Sequence, residues 1–442
     1  MKVLALTHAH LNIAGLSPVS CERADSIAET WCKEMKWQVD VLHTSQTKWR
    51  GIWPDGKGMA VNILSVSAPE SLMMPDAVPM FLNTAKKFIQ TLEYGKLFSL
   101  LKNRISKNLQ RVLAEKGIVL SYELALARRW GEYLLTIKEI TPKKYDFIFV
   151  SVGYGDEYLL ETALIISQKL KVPMVVDFRD LWSDHHDPER FTNGQRKNIK
   201  KNESRLLKTT ILLSVPQKPM ASFLEWTNIP VHFTSHSAYI ESNWEDGEII
   251  TDEFRMLYAG KLYPESPGLE MLMQLIQKLA KEDLGRPLIC HFYTDEGSIL
   301  GDLAIVHGIE KYIAIHNWIT PKAIWKEMRS AHLLLTFDTG ISMPLIMTKS
   351  YQYAYTGRPI LALYNKDNES YTEFFRLYDA GRIFYDTQKA MQWVKEMILE
   401  ETQYKMLPAL KKIPLRNEIA EELGEKIIEI LAYKKIKYEH IF

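Results

Sequence analysis

Four stretches of this chain carry residues whose types and spacing could do chemistry. In SMPLIMTKSYQYAYTGRPILALYN, Thr348 stands where a hydroxyl can cap a short helix, and Lys349 follows it. Free backbone N–H groups at such a terminus, together with an ammonium, make a cradle for a phosphate. Gly357 supplies a helix stop and Arg358-Pro359 leads into an apolar run, so the segment reads as a helix between two strand-end loops. Tyr351 and Tyr353 lie on it, and tyrosines in such a place more often pack than bind a base or a sugar. In FRMLYAGKLYPESPGLEMLMQLIQKLA, Gly260 and Lys261 close a strand pattern. A lysine there can meet a diphosphate; a solvated surface lysine fits a lone Gly-Lys pair as well.

The run KVPMVVDFRDLWSDHHD puts Asp177, Arg179 and Asp180 at the end of a buried strand, where charges are costly unless paired or functional. A structural pair between Arg179 and a carboxylate and a role in orienting substrate both fit. His185 and His186 fall further into the loop, where exposure is the expectation. Near the N-terminus, HAHLNIAGLSPVSCERA offers Gly15 for a close backbone approach and Ser17-Pro18 to cap and start a helix whose N–H groups would attract a phosphate or an acceptor hydroxyl. His8 and His10 have no further ligands at metal spacing, so no metal is expected.

The elements that must position these residues alternate along the chain. Apolar runs of strand length stand between longer helical patterns at Val3 to Leu6, Val39 to His43, Val61 to Val66, Asp146 to Ser151, Pro173 to Asp177 and Ile211 to Val215. A second set follows at Phe254 to Ala259, Leu288 to Tyr293, Ile313 to Asn317, His332 to Phe337, Pro359 to Leu363 and Arg382 to Tyr385. Such alternation predicts parallel sheets covered by helices, and ligands bound outside the carboxyl ends of the strands. Between the sets, Glu241 to Glu253 holds six acidic and no basic residues, which suits a solvated connection. The expected division is residues 1–243, 254–412 and a closing helix in 413–442.

The length of 442 residues fits two large α/β domains, and 46% hydrophobic with 25% charged residues is the composition of a globular protein rather than a disordered one. A net charge of +1 provides no global field for nucleic acid, which is excluded as the expected partner. Three cysteines without metal-ligand spacing argue against a disulfide framework and for a reducing compartment. MKVLALTHAHLNIAG reads as a first strand and not as a signal peptide, and no apolar run approaches the ~18 residues of a membrane span. A cytoplasmic protein is expected, either free or bound to the inner face of a membrane from one side. Residues 85–117 bear on that choice: eight Lys or Arg stand against two Glu, with apolar residues at roughly helical spacing. A helix packed on its own domain with a charged outer face fits, and so does docking onto anionic lipid or a lipid-linked acceptor.

The Gly15 to Arg23 loop and helix, VPMVVDFRDLW, MLYAGKLY and KSYQYAYTGRPILA, in this order, resemble the GT-B glycosyltransferases, specifically the retaining family 4 that builds bacterial surface polysaccharides. PLRNEIAEELGEKIIEILAYKK is similar to that family's closing helix. The resemblance implies two Rossmann-like domains facing across a cleft, an acceptor domain first and a nucleotide-sugar domain second, with the last helix crossing back to the first domain. It also implies sugar transfer from a nucleoside diphosphate to a saccharide or polyprenyl-linked acceptor, with retention and without metal or other cofactor. Lys261, Thr348 and Lys349 would meet the phosphates, with Gly260 beside them, and Gln352 and Tyr353 the nucleoside or sugar. Arg179 and Asp180 would serve the acceptor side, and Gly15 and Arg23 an acceptor or phosphate loop. Four places depart from the family pattern, one of them FTSHSAYIE, which stands where an asparagine-glycine turn is usual before the linker. Gln352 and Pro344 replace its paired glutamates, and Pro267 replaces a second basic residue after the glycine turn. A silent GT-B scaffold and a sugar-nucleotide epimerase are the competing expectations.

Overall fold

A computed structural model describes residues 1–7, 21–44, 61–66, 118–153, 157–184, 192–238, 247–249, 252–263, 265–340, 345–399 and 413–434. Gly15, His8, His10, His185, His186, Pro344 and the whole basic stretch 85–117 lie outside these residues. The chain divides into two units, residues 1–235 with 416–442 and residues 236–415.

The first unit is a seven-stranded sheet. Its strands are β1 (Lys2–Thr7), β2 (Gln38–Thr44), β3 (Asn62–Val66), β4 (Phe147–Val152), β5 (Met174–Phe178), β6 (Thr210–Val215) and β7 (Val231–Phe233). They lie in the order β3-β2-β1-β4-β5-β6-β7, and every pairing is parallel. The central strands FIFVSV, MVVDF and TILLSV are buried along their whole length, as strands covered on both faces must be. Helices α1 (Cys21–Lys33), α2 (Ile118–Leu134), α3 (Glu157–Leu170), α4 (Asn193–Leu206) and α5 (Lys218–Ser222) connect them. The six strands expected from the first set of apolar runs are all present. β7 was not foreseen, because three residues between Pro230 and Thr234 are too few to show a period.

The second unit repeats the design. Strands β8 (Phe254–Ala259), β9 (Leu288–Tyr293), β10 (Ile313–His316), β11 (Leu333–Phe337), β12 (Ile360–Leu363) and β13 (Gly381–Phe384) form a parallel sheet in the order β10-β9-β8-β11-β12-β13. Helices α6 (Pro267–Leu279), α7 (Gly297–His307), α8 (Pro321–Ser330), α9 (Thr348–Tyr355), α10 (Glu369–Tyr378) and α11 (Thr387–Leu399) cover it. Phe254, Met256 and Tyr258 of β8 face one core with α6 and α11, whereas Leu257 joins Tyr351, Tyr353 and Phe374 in the other. Alternate residues of one strand thus serve two cores, which is how the sheet comes to be buried on both faces.

The last described helix, α12 (Arg416–Lys434), packs on α1 of the first unit. Trp31 anchors it: the indole Nε1 donates to the Ala420 carbonyl at 2.8 Å, and the ring stands edge-on to Phe147 and Phe149. Gly424 allows the approach, since a β-carbon there would collide with Met35. Among the described residues no helix is long and apolar enough to cross a membrane.

Candidate functional site

The strand ends of the second unit converge on α9. At the end of β8, Gly260 has φ +147°, and a β-carbon there would collide with Nζ of Lys349. The lysine reaches back from the second position of α9, and its ammonium lies 3.8 Å from the centroid of the Tyr258 ring. Among the described residues no carboxylate comes within ion-pair distance of it. Burial therefore pushes its pKa down to about 7, against the pull of Glu296. Glu296 is held at the start of α7, where it accepts from Thr294 Oγ1 at 2.7 Å and from the Leu262 N–H at 3.2 Å.

The start of α9 is bare on one side. Met347 is its capping residue and makes no side-chain cap; Thr348 is the first helical residue, not the cap expected from the sequence, and its exposed Oγ1 lies 3.5 Å from His236 Nε2. The reason is local: Ser350 donates its N–H to the Met347 carbonyl at 2.8 Å, which starts the turn one residue early. Among the described residues nothing accepts from the backbone N–H of Thr348 or of Lys349. These two donors, the Thr348 hydroxyl and the Lys349 ammonium are the groups that the start of α9 can offer to an anion. At the far end Gly357 takes φ +73° and stops the helix, as expected.

α6, the helix that follows the glycine turn, has no such opening. Ser266 caps it and accepts from the Leu269 N–H at 3.2 Å, while the Gly268 N–H donates to the Asp338 carbonyl at 3.0 Å. Gly268 packs so tightly on the ends of β11 and β12 that a β-carbon would collide with the backbone of Asp338 and Leu363. Its terminus is spent on packing. Lys261 is exposed, with its ammonium 5.7 Å from the Tyr263 ring centroid, so it stands at the surface beside the turn.

Two of the residues expected to contact ligand turn out to hold the framework. Tyr353 is 1% exposed, and its hydroxyl accepts from the Ala259 N–H at 2.8 Å and reaches the Ala259 carbonyl at 3.3 Å. It fixes the end of β8 rather than facing a nucleoside; Gln352, its neighbour, is half-buried. Arg23 sits in the first unit with its guanidinium turned inward. Nε lies 3.0 Å from Asp177 Oδ2, and Nη2 lies 3.0 Å from Oδ1 and 2.8 Å from the Thr234 carbonyl. Nη1 donates to the Ser235 carbonyl at 3.0 Å, so the fork is directed at protein and not at an acceptor or phosphate.

Register explains the Asp177 site. Ser151, Asp177 and Ser214 are partners on β4, β5 and β6, and both serine hydroxyls donate to the carboxylate, at 3.1 and 2.8 Å. Burial opposes ionisation of Asp177, but Arg23 and the two serines outweigh it and hold the carboxyl below its ordinary range. The structural partner of Asp177 is Arg23. Arg179 and Asp180 are half-buried at the end of β5, where both crowd Gly153.

No family model matches this chain, and no curated protein matches its sequence. Solved structures do. OtsA in its apo form superposes with a TM-score of 0.62 at 12% identity, covering 97% of this chain and 99% of that one. Sucrose-phosphate synthase from Thermosynechococcus elongatus gives 0.61 at 10% identity, covering 98% and 100%. The chain has the GT-B fold. A third GT-B neighbour, from E. coli and described as trehalose-6-phosphate bound with UDP-2-fluoro glucose, gives 0.57 at 11% identity, covering 98% and 99%.

Tyr258, Glu296 and Tyr371 were not singled out from the sequence. Glu296 follows a strand and was open to the strand-end rule; the tyrosines read as ordinary core residues and carried no signal of their own.

Proposed function

We propose that this chain is a metal-independent glycosyltransferase that moves a sugar from a nucleoside diphosphate to a saccharide or lipid-linked acceptor, with retention at the anomeric carbon. The observation that carries this reading is the start of α9, where two N–H groups and the Lys349 ammonium have no acceptor or carboxylate partner among the described residues. Together they would form an anion cradle that stabilises charge developing on a leaving diphosphate and is organised before the reaction begins. The neighbour described with UDP-2-fluoro glucose supports a nucleotide-sugar as donor. Lys349 and Thr348 would hold the phosphates, Lys261 would add charge from the surface, and Gln352 would meet a ribose or sugar hydroxyl as a neutral hydrogen-bonding group. Residues 254–412 would hold the donor and residues 1–243 the acceptor, with Arg179 and Asp180 on the acceptor side. The bond from the anomeric carbon to phosphate would break as the acceptor oxygen attacks from the same face.

Membership of family 4, a place in surface polysaccharide synthesis and a cytoplasmic site, at the membrane face through residues 85–117, complete the proposal. One observation favours a second reading. Gln352 replaces a carboxylate of the family pattern, which suits a scaffold that binds a sugar nucleotide without turnover. Incubation with UDP-, GDP- and dTDP-sugars decides between them. Slow hydrolysis of one donor supports the transferase, tight binding without turnover supports the scaffold, and binding of none rejects both.

A further inference from the structure

α9 begins without the devices that usually begin a helix. In a capping box the side chain of the third helical residue accepts from the N–H of the capping residue, and the cap's own side chain returns the bond. Here the cap is Met347, which has no suitable atom, and the third residue is Ser350, whose hydroxyl makes no bond to Met347. The second gap is filled from α10, while the Ser350 N–H goes to the Met347 carbonyl at 2.8 Å. The hydroxyl of Tyr371 accepts from the Met347 N–H at 3.1 Å and lies 2.6 Å from Ser350 Oγ. Thr336 Oγ1 on β11 stands 3.2 Å away, and the Tyr364 hydroxyl also bonds to Tyr371. Tyr371 is 0% exposed, so this node is fixed by packing on Tyr364, Phe374 and Phe375.

We propose that Tyr371 is the positioning residue of the anion cradle: its hydroxyl supplies from α10 the acceptor for the Met347 N–H that α9 itself lacks, and so leaves the Thr348 and Lys349 N–H groups to a ligand. This rests on the donor reading of α9 given above. A side-chain cap on residue 347 would normally accept from the second or third helical N–H, and the second is that of Lys349. By ordering the turn through the cap's N–H instead, Tyr371 holds the helix start without occupying the donors that face outward. The hydroxyl cluster also ties α9 to β11, whose end lies next to the capped start of α6.

Tyr371→Phe removes the node, and Tyr364→Phe is the control, since it deletes another hydroxyl of the same cluster without touching Met347. Both full-length variants are compared with the parent in amide exchange across residues 345–355 and in binding of UDP by calorimetry. Tyr371→Phe should speed exchange at the start of α9 and weaken UDP by about 5 to 20 fold, the loss of one or two hydrogen bonds, whereas Tyr364→Phe should leave affinity within about twofold. Equal effects of the two variants on UDP would show a merely structural cluster and overturn the assignment. If the parent protein binds no nucleoside diphosphate, the donor reading fails, and exchange alone decides the positioning role. Unchanged protection of the helix start in Tyr371→Phe then overturns it.

Discussion

The Lys349 ammonium rests on the ring of Tyr258, 3.8 Å from its centroid, in a space that exists because residue 260 has no β-carbon. The ring face attracts a cation, but it replaces water only in part. Desolvation wins, and the pKa falls to about 7. An arriving diphosphate favours the charged form and draws the pKa back up, so between about pH 7 and 10 binding takes up a proton. UDP affinity is expected to weaken as pH rises above 7. Calorimetry at pH 8 in two buffers of different ionisation enthalpy should report proton uptake, and Lys349→Met should abolish it. Equal apparent enthalpies in the two buffers for the parent protein would show a lysine already charged.

The same geometry ranks the two lysines. In the proposed donor site Lys349 would converge with two N–H groups on one anion, whereas Lys261 is exposed at the turn beside Tyr263. Bonds to a charged group are worth roughly 1.5 to 3 kcal/mol, and charge grows on the leaving phosphate during the reaction. Lys349→Ala should lower kcat/KM by on the order of 10 to 1000 fold with the fold intact. Lys261→Ala should cost less. Steady-state kinetics on both variants check the order, and wild-type turnover in Lys349→Ala would remove the donor site.

How far the sequence led depended on the range of the interactions involved. Both parallel sheets were legible because apolar runs such as FIFVSV and ILAL report burial directly, and Gly357 was legible because a helix stop is a local backbone event. Lys349 was singled out through its position at a strand-end helix. Its contact with Tyr258 was not, because it spans 91 residues between β8 and α9 and leaves no periodic trace. Arg23 shows the opposite failure. Its place near the first glycine loop suggested a ligand, but its carboxylate lies 154 residues away, and only the register of β4, β5 and β6 reveals that Asp177 must have a cation. Thr348 failed by a single residue, as helix ends often do.

That buried pair sets a stability prediction for the first unit. Asp177 is 0% exposed and its charge is balanced by Arg23. Arg23→Met would leave the carboxylate uncompensated, at a cost of roughly 3 to 5 kcal/mol. Urea unfolding at pH 7 should show that loss in the midpoint. The native carboxyl lies below its unfolded value, so the stabilisation is complete above about pH 4 and is lost only as pH falls further through the native pKa. A variant as stable as the parent at pH 7 would refute the pairing as the support of Asp177.

Acid should act on the second unit at a higher pH, through His332. The residue is 1% exposed, stacks on Phe254 with ring centroids 5.0 Å apart, and accepts the Arg255 N–H on Nδ1 at 3.0 Å. Protonating Nδ1 would break that bond. Burial, with Arg286, Arg358 and Arg255 nearby, holds the imidazole neutral and pushes its pKa down to about 4. In the unfolded chain a histidine titrates near 6.5, so between those values the unfolded state binds more protons than the folded one. Stability from this residue is therefore complete above about pH 6.5 and falls as pH drops from there toward 4, by on the order of 2 to 3 kcal/mol in all. His291 and His316, also held below their ordinary range by burial, add to the same slope. His332→Asn keeps an acceptor for Arg255 without a titrating ring. Its unfolding free energy, measured in urea from pH 7 to 4.5, should fall less steeply than that of the parent. Parallel slopes for the two proteins would show that His332 does not carry the acid sensitivity.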